Sequence, residues 1–162
     1  LREDNKRLKE QMQEQQKNLQ KYAKEYYLMG NECITHMHDT RAALANYDKA
    51  IELYPDYADA WVRKGVTLFN ADRINEAEAC LDKAVRLRPM EFKTVYNRGK
   101  LRLHTGDTEG AIADLDKATT LKPQHAGAHE CFGDALTQAG KEMEAAIQYR
   151  LAEELRKRKS NQ

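Results

Sequence analysis

Residues 60–89 read AWVRKGVTLFNADRINEAEACLDKAVRLRP, and residues 96–123 read YNRGKLRLHTGDTEGAIADLDKATTLKP. Set against each other at an offset of 34, they align Gly65 with Gly99, Ala77 with Ala111, Leu81 with Leu115, Ala84 with Ala118 and Pro89 with Pro123. The same step leads back to Ala43, Ala50 and Pro55 and forward to Ala145 and Ala152, although Lys157 stands where a fourth proline would fall. A fixed period of about 20–50 residues is the mark of stacked supersecondary units.

Each unit reads as two helices. Four residues before its glycine, the first helix carries a bulky side chain (Tyr26, Trp61, Val95) or His129, with Gly30 one residue out of phase. Eight places before each proline stand Tyr47, Leu81 and Leu115, and Tyr149 continues the series. The glycine lets two helix backbones approach closely while the aromatic or leucine fills the space beside it. Proline then ends the second helix, because it lacks an N–H and forces its predecessor out of helical geometry. Polar and glycine residues mark the turn inside each unit: His38-Asp39, Asn70-Ala71-Asp72, Thr105-Gly106-Asp107 and Ala139-Gly140-Lys141.

On these residues the chain resembles the tetratricopeptide repeat family over about residues 23–159. The resemblance implies an all-α fold, a right-handed superhelical stack of antiparallel helix pairs, here in units 23–57, 58–91, 92–125 and 126–159. A lead at 1–22 precedes them and a short tail at 160–162 follows. It also implies a concave groove, lined by the first helices, that binds a peptide or protein segment, with no catalysis. Two places depart from the pattern. From Gly30 to Ala43 there is one residue more than from Gly65 to Ala77, so the loop around Thr35–His38 is expected to bulge. Glu153 takes the place of Ile51, Val85 and Thr119, a charge where earlier units pack on a following helix, so the fourth unit is expected to cap the stack with Leu151 partly exposed.

The lead, LREDNKRLKEQMQEQQKNLQKY, has no glycine or proline and favours a continuous helix running into the first repeat. Leu1, Leu8, Gln15 and Tyr22 alternate with Asn5, Met12, Leu19 and Tyr26 in a seven-residue pattern, and an asparagine in such a seam suits a parallel two-stranded coil. A homodimer through residues 1–29 is therefore expected, against the alternative of a solvated helix packing on its own domain.

By the resemblance, the groove surface includes Lys24, Tyr27, Asn31, Val62, Arg63, Val66, Phe69, Lys93, Tyr96, Asn97, Lys100, His104, Glu130 and Asp134. Its middle is basic and aromatic, which suits an extended peptide of acidic character with a few apolar anchors. A carboxylate clamp for chaperone C-terminal tails is disfavoured. Asn31 and Lys93 match it, but Tyr27 replaces the first lysine, Arg63 the second asparagine and Asn97 the arginine.

Composition limits the other readings. The 162 residues carry 27 basic and 26 acidic side chains, a net charge of +1 that gives no global attraction to nucleic acid or anionic membrane. No apolar run approaches the ~20 residues of a spanning helix, and mean hydropathy is −0.88. Three cysteines without a CxxC pair argue against a disulfide framework and for a reducing, cytoplasmic compartment. Cys33, His36 and His38 lie close in sequence, but structural zinc takes four ligands, and no metal or other cofactor is expected. No nucleophile triad, phosphate loop or strand stands out, so the chain reads as a non-enzymatic scaffold or adaptor. A helical-repeat nucleic-acid binder, prompted by Arg156–Lys159, and the regulatory part of a larger enzyme are the alternatives. Arg102, where Leu68 and Leu136 are its counterparts, is expected to pack its stem and send its head to water or a carboxylate. The start at Leu1 suggests a piece of something longer.

Overall fold

The computed structural model describes residues 1–160; the last two positions of the expected tail lie outside the described residues. Eight helices follow one another: α1 (Arg2–Thr35), α2 (Thr40–Leu53), α3 (Ala58–Asn70), α4 (Ile74–Leu87), α5 (Phe92–Thr105), α6 (Thr108–Leu121), α7 (Ala126–Gln138) and α8 (Glu142–Ser160). Each odd-numbered helix packs on the even-numbered helix after it, and each of α2, α4 and α6 packs on the next odd one. In addition α3 touches α5 and α5 touches α7, whereas among the described residues no two even-numbered helices pack to a like extent. The odd helices therefore crowd the inner, concave side of an all-α superhelix, and the even helices splay on the outside.

The recurrent residues account for this shape. A Cβ added to Gly65 would lie 2.8 Å from Leu81 Cγ, one added to Gly99 would lie 2.9 Å from Leu115 Cγ, and one added to Gly133 would lie 2.7 Å from Tyr149 Cε1. Real Cβ atoms do not approach so closely, so only glycine admits the bulky neighbour. The alanines of the second helices, Ala50, Ala84 and Ala118, are wholly buried. Their carbonyls each accept a 2.9 Å hydrogen bond from the N–H of the residue that ends the helix, Tyr54, Arg88 and Lys122. Pro55, Pro89 and Pro123 follow one residue later. Where Lys157 replaces proline, α8 runs on to Ser160, 19 residues against the 14 of α2, α4 and α6.

The turns inside the units share a backbone feature. His38, Asp72, Gly106 and Gly140, spaced by the period, adopt left-handed φ values of 51°, 61°, 81° and 74°. The extra residue of the first unit therefore precedes His38, within the end of α1 and its loop. Capping is specific: Asp39 Oδ1 accepts from the Ala42 N–H at 2.9 Å and Asp107 Oδ1 from the Gly110 N–H at 3.1 Å. His125 Nδ1 does the same for the Ala128 N–H at 3.0 Å, which places the ring proton on Nε2.

The core is a series of local clusters, as a stack of units requires. One joins Leu44, Leu68, Leu81 and Leu101; another joins Leu115, Phe132 and Leu136. Trp61 and His129 occupy one repeat position and serve one purpose. The Trp61 indole N–H donates to the Pro55 carbonyl at 2.7 Å, and His129 Nε2 meets the Pro123 carbonyl at 2.8 Å. At the open end α8 exposes Glu153 and also Leu151. At the other end every residue of α1 before Ala23 is exposed, so the helix extends free of the repeats.

Candidate peptide-binding groove

The concave side is a set of rows, one residue per unit. Asn31, Val66, Lys100 and Asp134 form one row, and Thr35, Asn70, His104 and Gln138 form the next turn outward. Because α3, α5 and α7 pack side by side, the rows are brought together into two hollows. The first, about 280 Å³, lies between the end of α1 and α3 and is lined by Asn31, Ile34, Arg63, Val66, Thr67 and Asn70 among others. The second, about 500 Å³, crosses α3, α5 and α7 and is lined by Phe69, Lys100, Leu103, His104, Cys131, Asp134 and Gln138.

The residues expected from sequence fall into three groups. Asn31, Arg63, Val66, Phe69, Lys100, His104 and Asp134 line the hollows. Tyr27, Tyr96 and Asn97 are half-buried beside them. Tyr27 packs between Tyr57 and Tyr47, with ring centroids at 5.2 and 6.3 Å, and Tyr96 stacks on Phe92 at 5.0 Å. Asn97 donates back to the Lys93 carbonyl at 2.8 Å. Lys24, Lys93 and Glu130 sit toward the rim: Lys24 is exposed on α1, Lys93 Nζ lies 3.9 Å from Asp59, and Glu130 is bound by Arg156. One expectation is overturned. Val62 is only 6% exposed, because its short side chain ends below the surface that Tyr27 and Tyr96 reach from equivalent places.

Polar contacts organise the hollows. The Tyr47 hydroxyl donates to Asn31 Oδ1 at 2.9 Å, and the Tyr149 hydroxyl to Asp134 Oδ1 at 2.7 Å. Lys100 Nζ lies 5.5 Å from the Tyr96 ring centroid, and His104 meets Phe69 edge-on at 5.1 Å. Burial pushes the phenol of Tyr96 well above its ordinary range, and the adjacent Cys131, 3.9 Å from its hydroxyl, adds to this. Burial likewise raises Tyr57, to about 12. Both phenols are therefore neutral at any physiological pH. Among the described residues no three His, Cys, Asp or Glu side chains converge to hold a metal ion. Cys33 is buried, with Asn46 Nδ2 3.7 Å from its sulfur.

Sequence reasoning missed Asn70, Leu103, Cys131 and Gln138 as lining residues. Asn70 and Gln138 stand one period either side of His104, so the register itself was the signal that would have found them.

Comparison with known proteins agrees with this architecture. Tetratricopeptide repeat models match residues 36–96 and 92–125, together more than half of the chain. The chain belongs to the tetratricopeptide repeat family. An uncharacterized protein of Methanocaldococcus jannaschii is 35% identical over 77 residues, 48% of this chain and 88% of that protein. Among solved structures, MamA superposes with a TM-score of 0.78 at 21% identity, over 86% of this chain and 81% of that one. MamA from Desulfovibrio magneticus gives 0.74 at 24% identity, over 83% and 76%. PilF of Pseudomonas aeruginosa gives 0.77 at 21% identity, over 85% and 63%. At these identities the likeness is one of fold.

Proposed function

We propose that this chain is an adaptor that takes an extended peptide or protein segment into its concave groove and self-associates through the N-terminal helix. Tetratricopeptide repeats are in general scaffolds for protein–protein interaction and typically non-enzymatic. The observation that carries the groove reading is the pair of adjoining hollows, in which Arg63 and Lys100 have no carboxylate within ion-pair distance among the described residues. Such cations are free to make charge-assisted bonds to a ligand, and the neighbouring Phe69 and Tyr96 offer rigid apolar area. The nucleic-acid alternative is weaker, because in the basic C-terminal run Arg156 is tied to Glu130 and Lys157 to Glu153. No described helix is long and apolar enough to cross a membrane. Three free thiols suit a reducing, cytoplasmic setting.

The test is selection from a library of short displayed peptides with the wild-type chain and with Arg63→Glu/Lys100→Glu. Enrichment of peptides with acidic residues by the wild type, lost in the variant while helicity stays constant, supports the groove. Equal enrichment by both moves the binding surface elsewhere.

A further inference from the structure

Lys100 and Asp134 are successive members of one groove row, opposite in charge, on helices that touch. Both are exposed and both line the same hollow, whose apolar wall is Phe69 and Leu103. Yet they form no ion pair with each other. Lys100 turns its ammonium over the Tyr96 ring, and the Tyr149 hydroxyl holds the Asp134 carboxylate by a 2.7 Å bond. Packed helices stand about 8–10 Å apart, and with these partners each head is held on its own helix. Cys131 lines the same hollow: burial raises its thiol, while Lys100 and Asp134 act on it with opposite signs. A ligand of one charge would satisfy one end of this hollow and be repelled at the other.

We propose that the hollow reads an acid and a base together, in an extended peptide whose carboxylate side chain meets Lys100 and whose ammonium or guanidinium meets Asp134. An apolar side chain on the acidic side rests on Phe69 and Leu103, since Phe69 belongs to α3, the helix farther from Asp134. The spacing follows from chain geometry. Side chains on one face of a strand are two residues and about 7 Å apart. On one edge of a polyproline II helix they are three residues and about 9 Å apart. The acid and base are therefore two or three residues apart. This inference rests on the groove reading and sharpens it, because a merely acidic partner would leave Asp134 facing like charge.

The test uses synthetic glycine- and serine-based peptides holding one leucine, one glutamate and one lysine, with the two charges at separations of about one to six residues in both orders. Binding is read by fluorescence anisotropy against the whole chain. Separations of two or three are expected to bind best, with one charge order preferred. The swap Lys100→Glu/Asp134→Lys, at two exposed positions, is expected to invert the preferred order. Single neutralisation by Lys100→Met or Asp134→Asn should weaken binding about threefold to tenfold. Tyr149→Phe, which keeps the carboxylate, should keep the order preference. Binding indifferent to separation, or an unchanged order in the swapped groove, overturns this inference and leaves the groove standing. Silence of the whole peptide set, and of a control series in which a second glutamate replaces the lysine, overturns both.

Discussion

Arg98 grips Asp114 with two parallel bonds, Nε to Oδ2 and Nη2 to Oδ1, each 2.8 Å. One period earlier the same two places hold Lys64 and Cys80. Lys64 pairs outward with Asp48 at 2.6 Å, as Arg98 does with Asp82 at 3.2 Å, so the same bond from a second helix to the next first helix occurs in two successive units. What changes between units is the inner contact. In the second unit Leu68 and Cys80 share an apolar cluster; in the third their counterparts are Arg102 and Asp114, joined at 3.0 Å. One kind of inter-helix contact has replaced another at constant geometry.

Removing Asp114 should therefore be severe. Its side chain is 6% exposed, and Arg98 and Arg102 would be left partly buried without it. Asp114→Ala is expected to cost about 3–5 kcal/mol, the range for breaking one partner of a buried pair. The double change Arg102→Leu/Asp114→Cys copies the second unit and leaves Arg98 with Asp82, so it should recover much of that loss. Urea unfolding of the three proteins decides. If the double variant is as unstable as Asp114→Ala, the two inner contacts are not interchangeable.

The turn residues give a prediction of opposite sign. His38 and Asp72 hold the left-handed conformation that Gly106 and Gly140 adopt at equivalent places. A side chain with a Cβ is strained there by roughly 1 kcal/mol. His38→Gly should raise stability by about 0.5–1 kcal/mol, the remainder being offset by the entropy of the new glycine. Gly106→Ala should lower it, and through the backbone alone, because an added Cβ meets nothing within 4 Å. Thermal melting of both variants tests the pair, and a His38→Gly protein that melts lower than the wild type refutes the strain argument.

The period made the repeats legible because packing constrains the same few positions in every unit: the glycine that admits a bulky neighbour, the buried alanines, the terminating proline. Arg102 shows where that legibility stops. Its place in the register marked it as unusual, but of its partners Asp107 caps the neighbouring α6, Asp114 lies within α6 and Asp82 in α4, and only folding brings the last two to it. His125 shows a second limit. It stands outside the residues favoured as helix caps, so nothing in the sequence announced that its ring would close α7. In the candidate groove the register says which residues share a row but carries no side-chain length, and Val62 is buried for that reason.

The cap at His125 makes stability sensitive to acid. Its ring packs on Phe92 and Tyr96, with centroids at 4.8 and 5.2 Å, and burial there lowers its pKa, with Lys122 acting in the same direction. The folded chain thus holds this proton less tightly than the unfolded one, whose histidine titrates near 6.5. The stabilisation is complete above about 6.5 and is lost as pH falls through the depressed folded value. Protonation also removes the lone pair that accepts the Ala128 N–H. His125→Asn keeps a cap without a titrating group, so its melting temperature should depend less on pH between about 7.5 and 5 than that of the wild type. Parallel slopes for the two proteins would place the acid sensitivity on another group.

The free arm of α1 bears on valency. Leu8 and Met12 are 56% and 63% exposed, and Leu19 and Tyr22 continue the same seven-residue seam beyond the reach of the repeats. Most helical stability in proteins comes from packing an apolar face; this arm packs on nothing among the described residues of its own chain, and pairing with a second copy would bury the seam. The seam is short and contains Asn5 and Gln15, so the association should be weak and concentration-dependent. Sedimentation across the micromolar range should show a monomer–dimer equilibrium, shifted to monomer by Leu8→Ser/Leu19→Ser without loss of the repeat helices, because neither residue touches them. Two grooves on one dimer would then engage a partner with two target segments far more tightly than one groove can, provided both are within reach. A wild-type chain that stays monomeric up to tens of micromolar would reduce the adaptor to a single-groove module.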